Sequence, residues 1–240
     1  MGQVITRLSE QYDDLSIVAG YDITDSGKNP YPVFSDLRKC SVRPDVLIDF
    51  SNPAALESIL TYATSTEIPV VIATTGHSQT QARMLKKTSE IIPVFYSANM
   101  SLGINLLIGL VKKAAKLLQT SFDIEIVEKH HNQKIDAPSG TALAIADAVN
   151  SVLDQKHEYV YDRHSRRKKR SRNEIGIHAI RGGTIVGEHS VIFAGNDEII
   201  EIRHSALSKE IFATGALSAA RFIIGKKPGM YDMNDLVGRE

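Results

Sequence analysis

Short, almost wholly apolar runs alternate with amphipathic stretches through the first hundred residues, and that alternation constrains the fold more than any other feature. Residues 15–21, 46–50, 69–73 and 93–96 read as buried strands. Between them, residues 2–11, 53–64 and 78–89 read as helices, with Ser51 or Asn52 and Ser78 as N-caps. Strands rich in Val and Ile, without polar alternation, need cover on both faces. Strand–helix alternation at this spacing therefore predicts a parallel sheet between helical layers.

The pattern changes after Ser101. Residues 102–119 form a long helical pattern with Leu102, Leu106, Leu110, Ala114 and Leu117 along one stripe. Segments 124–127, 175–179, 184–193 and 199–203 have period-two alternation or a broader β bias, and Gly182-Gly183 and Gly195-Asn196-Asp197 mark turns between the last three. These features predict a mainly antiparallel sheet with one face exposed or mated to another subunit. A last helix over 209–224 ends at Gly225, with Pro228 beyond. The expected architecture is a nucleotide-type α/β domain joined to an α+β domain.

Charge excludes some partners. Lys+Arg and Asp+Glu balance at 28 each, so no global field draws the chain to nucleic acid or a membrane. The basic run Arg166–Arg172 has no interleaved aromatics and reads as a solvated loop rather than a nucleic-acid patch. Lys112, Lys113 and Lys116 interrupt the longest apolar stretch before it reaches the ~20 residues of a spanning helix. Residues 3–14 are too polar for a signal peptide. The single Cys40 rules out an intrachain disulfide and a thiolate metal site, and reads as a partly buried thiol. His178, His189 and His204 lie in strands without ligand spacing, so structural roles are expected and no metal. The expectation is a cytoplasmic, reduced, soluble protein.

Chemistry concentrates between Glu128 and Thr141, at the end of one strand and the start of a helix over 142–153. Either of two adjacent histidines, His130 and His131, can exchange a proton near neutral pH. Lys134 can hold a carboxylate or give a proton. Gly140 and Thr141 offer backbone N–H groups at a positive helix end. An anionic substrate that gains a proton would use all three; the alternative is a solvated strand-to-helix loop.

The string Glu128-x-His130-His131-x-x-Lys134-x-Asp136-Ala-Pro-Ser139-Gly140-Thr141-Ala142 resembles the signature of dihydrodipicolinate reductases. Ile48-Asp-Phe-Ser51, Thr74-Thr-Gly76, Ala98-Asn-Met-Ser-Leu-Gly-Ile-Asn105, Gly187-Glu-His189 and Tyr231-Asp-Met233 sit in that family's order. The resemblance implies a Rossmann-like dinucleotide domain from 1–100 and 210–240, and a substrate-binding and tetramerisation domain over 101–209. It implies NAD(P)H-dependent reduction of a cyclic dicarboxylate, 4-hydroxy-tetrahydrodipicolinate, to tetrahydrodipicolinate in lysine and diaminopimelate synthesis. His130 would be the acid/base residue, Lys134 a second proton donor, and His131, Gly140 and Thr141 substrate ligands. Ala73, Thr74 and Thr75, with Ser97, Ala98, Asn99 and Met100, would line the nicotinamide at strand ends.

Asp22 would accept from the adenosine ribose; a simple turn with Asp25 and Ser26 is its other reading. With Ile23 rather than an arginine next to it, the choice leans to NADH over NADPH. The family's Gly-Thr-Thr is Ala73-Thr74-Thr75 here, a mild change where the backbone angle is ordinary. Its phosphate loop Gly-x-x-Gly-x-Met-Gly is represented only by Met1-Gly2, so about ten to fifteen residues of strand and loop are expected upstream. As given, the chain is expected to be poorly stable and a poor catalyst. A truncated homologue that only binds or co-assembles is the alternative function.

Overall fold

A computed structural model describes residues 1–24, 27 and 29–238. The chain divides into two compact units, Met1–Leu102 with Glu210–Glu240, and Gly103–Lys209.

The first unit begins with α1 (Gly2–Ser9), followed by β1 (Gly20–Tyr21) and β2 (Val33–Phe34), a parallel pair. Then come β3 (Leu47–Asp49), α2 (Leu56–Thr66), β4 (Val70–Ile72), α3 (Gln79–Ser89) and β5 (Pro93–Tyr96). The caps follow the sequence. Asn52 accepts from the Ala54 amide ahead of α2, and Ser78 forms a reciprocal capping box with Gln81 at α3. The strand expected over 15–21 shortens to its last two residues. Leu15 and Ile17 still pack against the cluster of Ile5, Leu8, Ala213 and Leu217, but the backbone of residues 16–19 meets no hydrogen-bonding partner among the described residues. Without an adjacent ladder, an apolar segment can pack partly against a core without being a strand.

The second unit opens with α4 (Leu102–Leu118) and continues through β6 (Asp123–His130), α5 (Gly140–Asn150), β7 (Glu158–Val160), β8 (Glu174–Arg181), β9 (Gly187–Ala194) and β10 (Ile199–Ala206). Its sheet runs β10-β9-β6-β8-β7. The β10–β9 and β9–β6 ladders are antiparallel and the β6–β8 and β8–β7 ladders are parallel, so the sheet is mixed. The reason is α5, which makes the connection from β6 to β8 a helical crossover, the link parallel strands require. Ile104, Leu107, Val111 and Ala115 form the buried stripe of α4, while Leu106, Leu110 and Leu117 are exposed. The helix is apolar nearly all round, so its sequence admits two neighbouring stripes. The sheet settles the choice by receiving Leu107, Val111 and Ala115 beside Ile145 and Val149 of α5.

The chain then returns to the first unit with α6 (Glu210–Ile223), β11 (Gly229–Tyr231) and α7 (Met233–Val237). β11 pairs with β5, giving an all-parallel sheet β11-β5-β4-β3. Successive β4 residues serve opposite faces. Val70 and Ile72 pack in one cluster with Leu56, Ile59, Leu60 and Leu85 of α2 and α3. Val71 and Ala73 pack in another with Ala216, Ala219 and Ala220 of α6. This double cover is what the strand composition predicts. No helix among the described residues is long and apolar enough to cross a membrane.

Candidate active site

β6 buries alternate residues, Ile124, Ile126, Glu128 and His130. The first two join the apolar core; the last two make its carboxyl end polar. Glu128 is fully buried, and each of its oxygens accepts two hydrogen bonds. Oε1 takes Arg181 Nη2 at 2.7 Å and the Ser139 amide at 3.0 Å; Oε2 takes Arg181 Nη1 at 2.8 Å and His130 Nδ1 at 2.6 Å. Burial alone would push the Glu128 carboxyl up, but Arg181, His130 and the Ser139 amide outweigh it and hold it below the ordinary carboxylate range.

His189, opposite Glu128 on β9, lies edge-on to His130 with ring centroids 5.2 Å apart. Its Nε2 and Ser139 Oγ share a 3.1 Å hydrogen bond. Burial, and then the neighbouring His130, depress its pKa to about 4, so it is neutral at neutral pH.

Beyond β6, half-buried His131 leads into the loop that ends at Ser139, the N-cap of α5, whose Oγ accepts from the Ala142 amide. Gly140 and Thr141 occupy the first turn. Lys134 Nζ lies 2.7 Å from Asp136 Oδ1. The Lys134 side chain, with help from the Gly140 amide, holds the Asp136 carboxyl below its usual range. Lys134, an expected donor of the site, thus already engages a carboxylate from the chain itself.

In the first unit, Ala73–Thr75 follow β4 and Ser97–Met100 follow β5, at the carboxyl ends of adjacent parallel strands. The Ser97 amide donates to Ile72 O at 3.2 Å; Ser97 Oγ donates to Asn99 O, and Asn99 Oδ1 accepts from the Ser101 amide. Ala73 is not among the residues with positive φ, so alanine replaces glycine there without strain. Asp22 follows β1, is exposed, and accepts from the Thr24 amide and hydroxyl, so its turn is made with Thr24; Asp25 and Ser26 lie outside the described residues. Met1 is the exposed N-cap of α1, and its carbonyl accepts from the Val4 and Ile5 amides. Asp49 Oδ2, at the end of β3, Thr74 Oγ1 and both His77 ring nitrogens are buried without partners among the described residues. Buried polar atoms left this way point to a polar ligand. A dinucleotide at this edge fits them.

The basic run is a largely exposed loop, as expected, that Arg166 and Arg170 tie to the sheet. Arg170 donates to Glu125 Oε1 (2.9 Å), Asp123 Oδ1 (2.8 Å), and the carbonyls of Ile124 (3.0 Å) and Glu174 (2.7 Å). Arg166 pairs with Glu158, and Arg163 with buried Glu174. His178 completes the group by contacting Glu125 Oε2 at 2.8 Å. Arg170→Ala should therefore lower unfolding free energy by about 2 kcal/mol, the order expected when hydrogen bonds to charged groups are lost. Exposed Arg167→Ala should change it little. Equal urea midpoints for the two variants would contradict the stapling role.

The sequence did not reveal what Glu128, Ser139, Arg181 and His189 do together. The available signal was Glu128 two places before His130 on one strand face, which puts both inward.

Comparison with known proteins agrees over both units. Residues 1–100 match the family profile described as "Dihydrodipicolinate reductase, N-terminus", and residues 103–237 the one described as "Dihydrodipicolinate reductase, C-terminus". The 4-hydroxy-tetrahydrodipicolinate reductase of Caldanaerobacter subterraneus subsp. tengcongensis is 56% identical over 237 residues, 99% of this chain and 94% of that protein. The same enzyme of Clostridium tetani is 51% identical over 98% of this chain and 91% of that protein. Among solved structures, the dipicolinate-bound dihydrodipicolinate reductase from Paenisporosarcina sp. TG-14 superposes with a TM-score of 0.81 at 24% identity, covering 98% of this chain and 94% of that one. With both units matched and such identity over nearly its whole length, the chain belongs to the dihydrodipicolinate reductase family, the enzymes that reduce 4-hydroxy-tetrahydrodipicolinate.

Proposed function

We propose that this chain carries out the family reaction with His130 as the proton donor and Lys134, His131, Gly140 and Thr141 as the groups that hold the substrate. The observation that carries this reading is the end of β6: a buried, carboxylate-bound imidazole followed by a loop that carries Lys134 and then a helix start. A nicotinamide dinucleotide, once bound, supplies the hydride. Thr74, Thr75 and residues 97–100 would bind and orient it. Lys134, which pairs with Asp136, would transfer to a substrate carboxylate, and the Gly140 amide would donate to it. Lys134 would also act as the second proton donor. Dipicolinate, bound in the Paenisporosarcina protein, is a suitable probe because it offers two carboxylates on one ring.

The test is oxidation of reduced nicotinamide on adding 4-hydroxy-tetrahydrodipicolinate, with dipicolinate as competitor. A chain that binds dipicolinate and does not oxidise the cofactor would be a binding-only subunit; the identities to named reductases favour turnover.

Cofactor choice rests on Asp22. An exposed carboxylate just after β1 suits a ribose hydroxyl and repels a 2′-phosphate, so kcat/KM should be higher with NADH than with NADPH. Asp22→Ser should narrow the gap. A wild-type protein that prefers NADPH would overturn this assignment.

A homotetramer assembled through the second unit is also proposed. β10 is an edge strand among the described residues; Ile199 and Ile200 on it, and Leu106 and Leu110 on α4, expose apolar surface that a partner subunit would cover. A cytoplasmic setting suits an enzyme that draws on reduced nicotinamide and has one free cysteine.

A further inference from the structure

We infer that Glu128 is the positioning residue of this site: one buried carboxylate fixes the His130 ring with Nε2 as its working atom, and through the Ser139 amide holds the start of α5 in register with that ring. The inference rests on the reading of His130 as proton donor, and goes further by naming what aims it.

The geometry has three parts. First, the Nδ1 contact at 2.6 Å can only be a donation from His130, because Glu128 is held as a carboxylate and carboxylates only accept. Neutral His130 then carries its hydrogen on Nδ1, and the exchangeable proton belongs to Nε2. Second, there is room beside Nε2. A Cβ built on Gly187 would come within 3.0 Å of that nitrogen, so glycine at this place on β9 keeps the ring face open. Third, the other carboxylate oxygen takes the Ser139 amide, and Ser139 caps α5, whose first residues are Gly140 and Thr141. Proton donor and carboxylate clamp are therefore tied to the same two oxygens.

Arg181 serves the carboxylate rather than the substrate. Both its Nη atoms are on Glu128, and Nη2 also donates to Asp136 O at 2.7 Å. Strand register puts Arg181 opposite His130 on β8. A purely structural ion pair would be complete with Arg181 and Glu128 alone. The imidazole and the helix cap are additional, and they are the two groups the reaction needs.

The decisive experiment is nitrogen-15 NMR of histidine-labelled protein, with the His130 signals assigned by their loss in His130→Ala. The expected result at alkaline pH is the Nδ1–H tautomer for His130 in the unmodified protein. An Nε2–H tautomer would overturn the placement. This readout does not depend on turnover, so its failure is separable from failure of the proton-donor reading, which His130→Ala kinetics tests.

Glu128→Gln then tests the consequence. It should lower kcat by about a hundredfold or more, as loss of the carboxylate that fixes a reacting histidine's tautomer does, with nicotinamide affinity unchanged. Unchanged kcat in a folded variant would overturn the role. Should the variant fail to fold, the tautomer in unmodified protein still decides.

Discussion

His130→Ala and Lys134→Ala should each lower turnover by about a hundredfold or more, the usual scale for loss of a positioned proton donor. The His130 variant is a clean test because its fold has other support. The Arg181–Glu128 pair and the Ser139 amide stay in place when the imidazole is removed. His189, the neighbouring histidine, is no substitute. It cannot supply a proton at neutral pH, since burial first, and then His130, hold its pKa at about 4. Lys134→Ala should act differently. Removing the ammonium leaves Asp136 charged beside the start of α5, where it would repel the substrate carboxylate. That variant should lose both KM and kcat, whereas His130→Ala should lose mainly kcat. Steady-state kinetics beside thermal melts separates these effects from misfolding. Near-normal turnover in both variants would sink the assignment.

Most of the fold can be read in the sequence because burial writes a period. The strands at 69–73 and 93–96 and the capped helix after Ser78 are found as β4, β5 and α3. β7 and β11 had no such signal: each has three residues, one beginning with Glu and the other with Gly, and each adds to the edge of a sheet. The direction of β8 was legible in principle, since the helix at 142–153 already lies between β6 and β8. The site was legible only as a segment. The motif puts His130, Lys134 and Gly140 in one stretch, but nothing in the spacing says that Arg181, 53 residues beyond Glu128, closes on the same carboxylate. Strand register decides that. Nor could the sequence show that Asp136 already holds the Lys134 ammonium.

Gly215→Ala should destabilise the first unit by about 2 kcal/mol or more, an overpacking cost that outweighs a gain in helix propensity of roughly 1 kcal/mol. Gly215 lies inside α6, where sequence alone recommends alanine. The structure forbids it. An added Cβ would sit 1.7 Å from the Met100 carbonyl oxygen and 2.8 Å from its carbon. Backbone atoms cannot rotate aside as a side chain can, so either α6 or the segment after β5 must move. Neither is free to do so. α6 is anchored by Ala213 and Leu217 against Ile5 and Leu8 of α1, and by Ala216, Ala219 and Ala220 against Val71 and Phe95. The segment after β5 is held by the Ser97 amide on Ile72 O and by the Ser97–Asn99–Ser101 hydrogen bonds. Since residues 97–100 are proposed to line the nicotinamide, displacement there should also weaken cofactor binding. Dipicolinate binding, assigned to residues of the other unit, should be affected less. Thermal melts and separate titrations with NADH and dipicolinate read the three quantities. A melting temperature at or above wild type, with unchanged NADH affinity, would overturn the claim that α6 and the Met100 backbone leave no room for a Cβ.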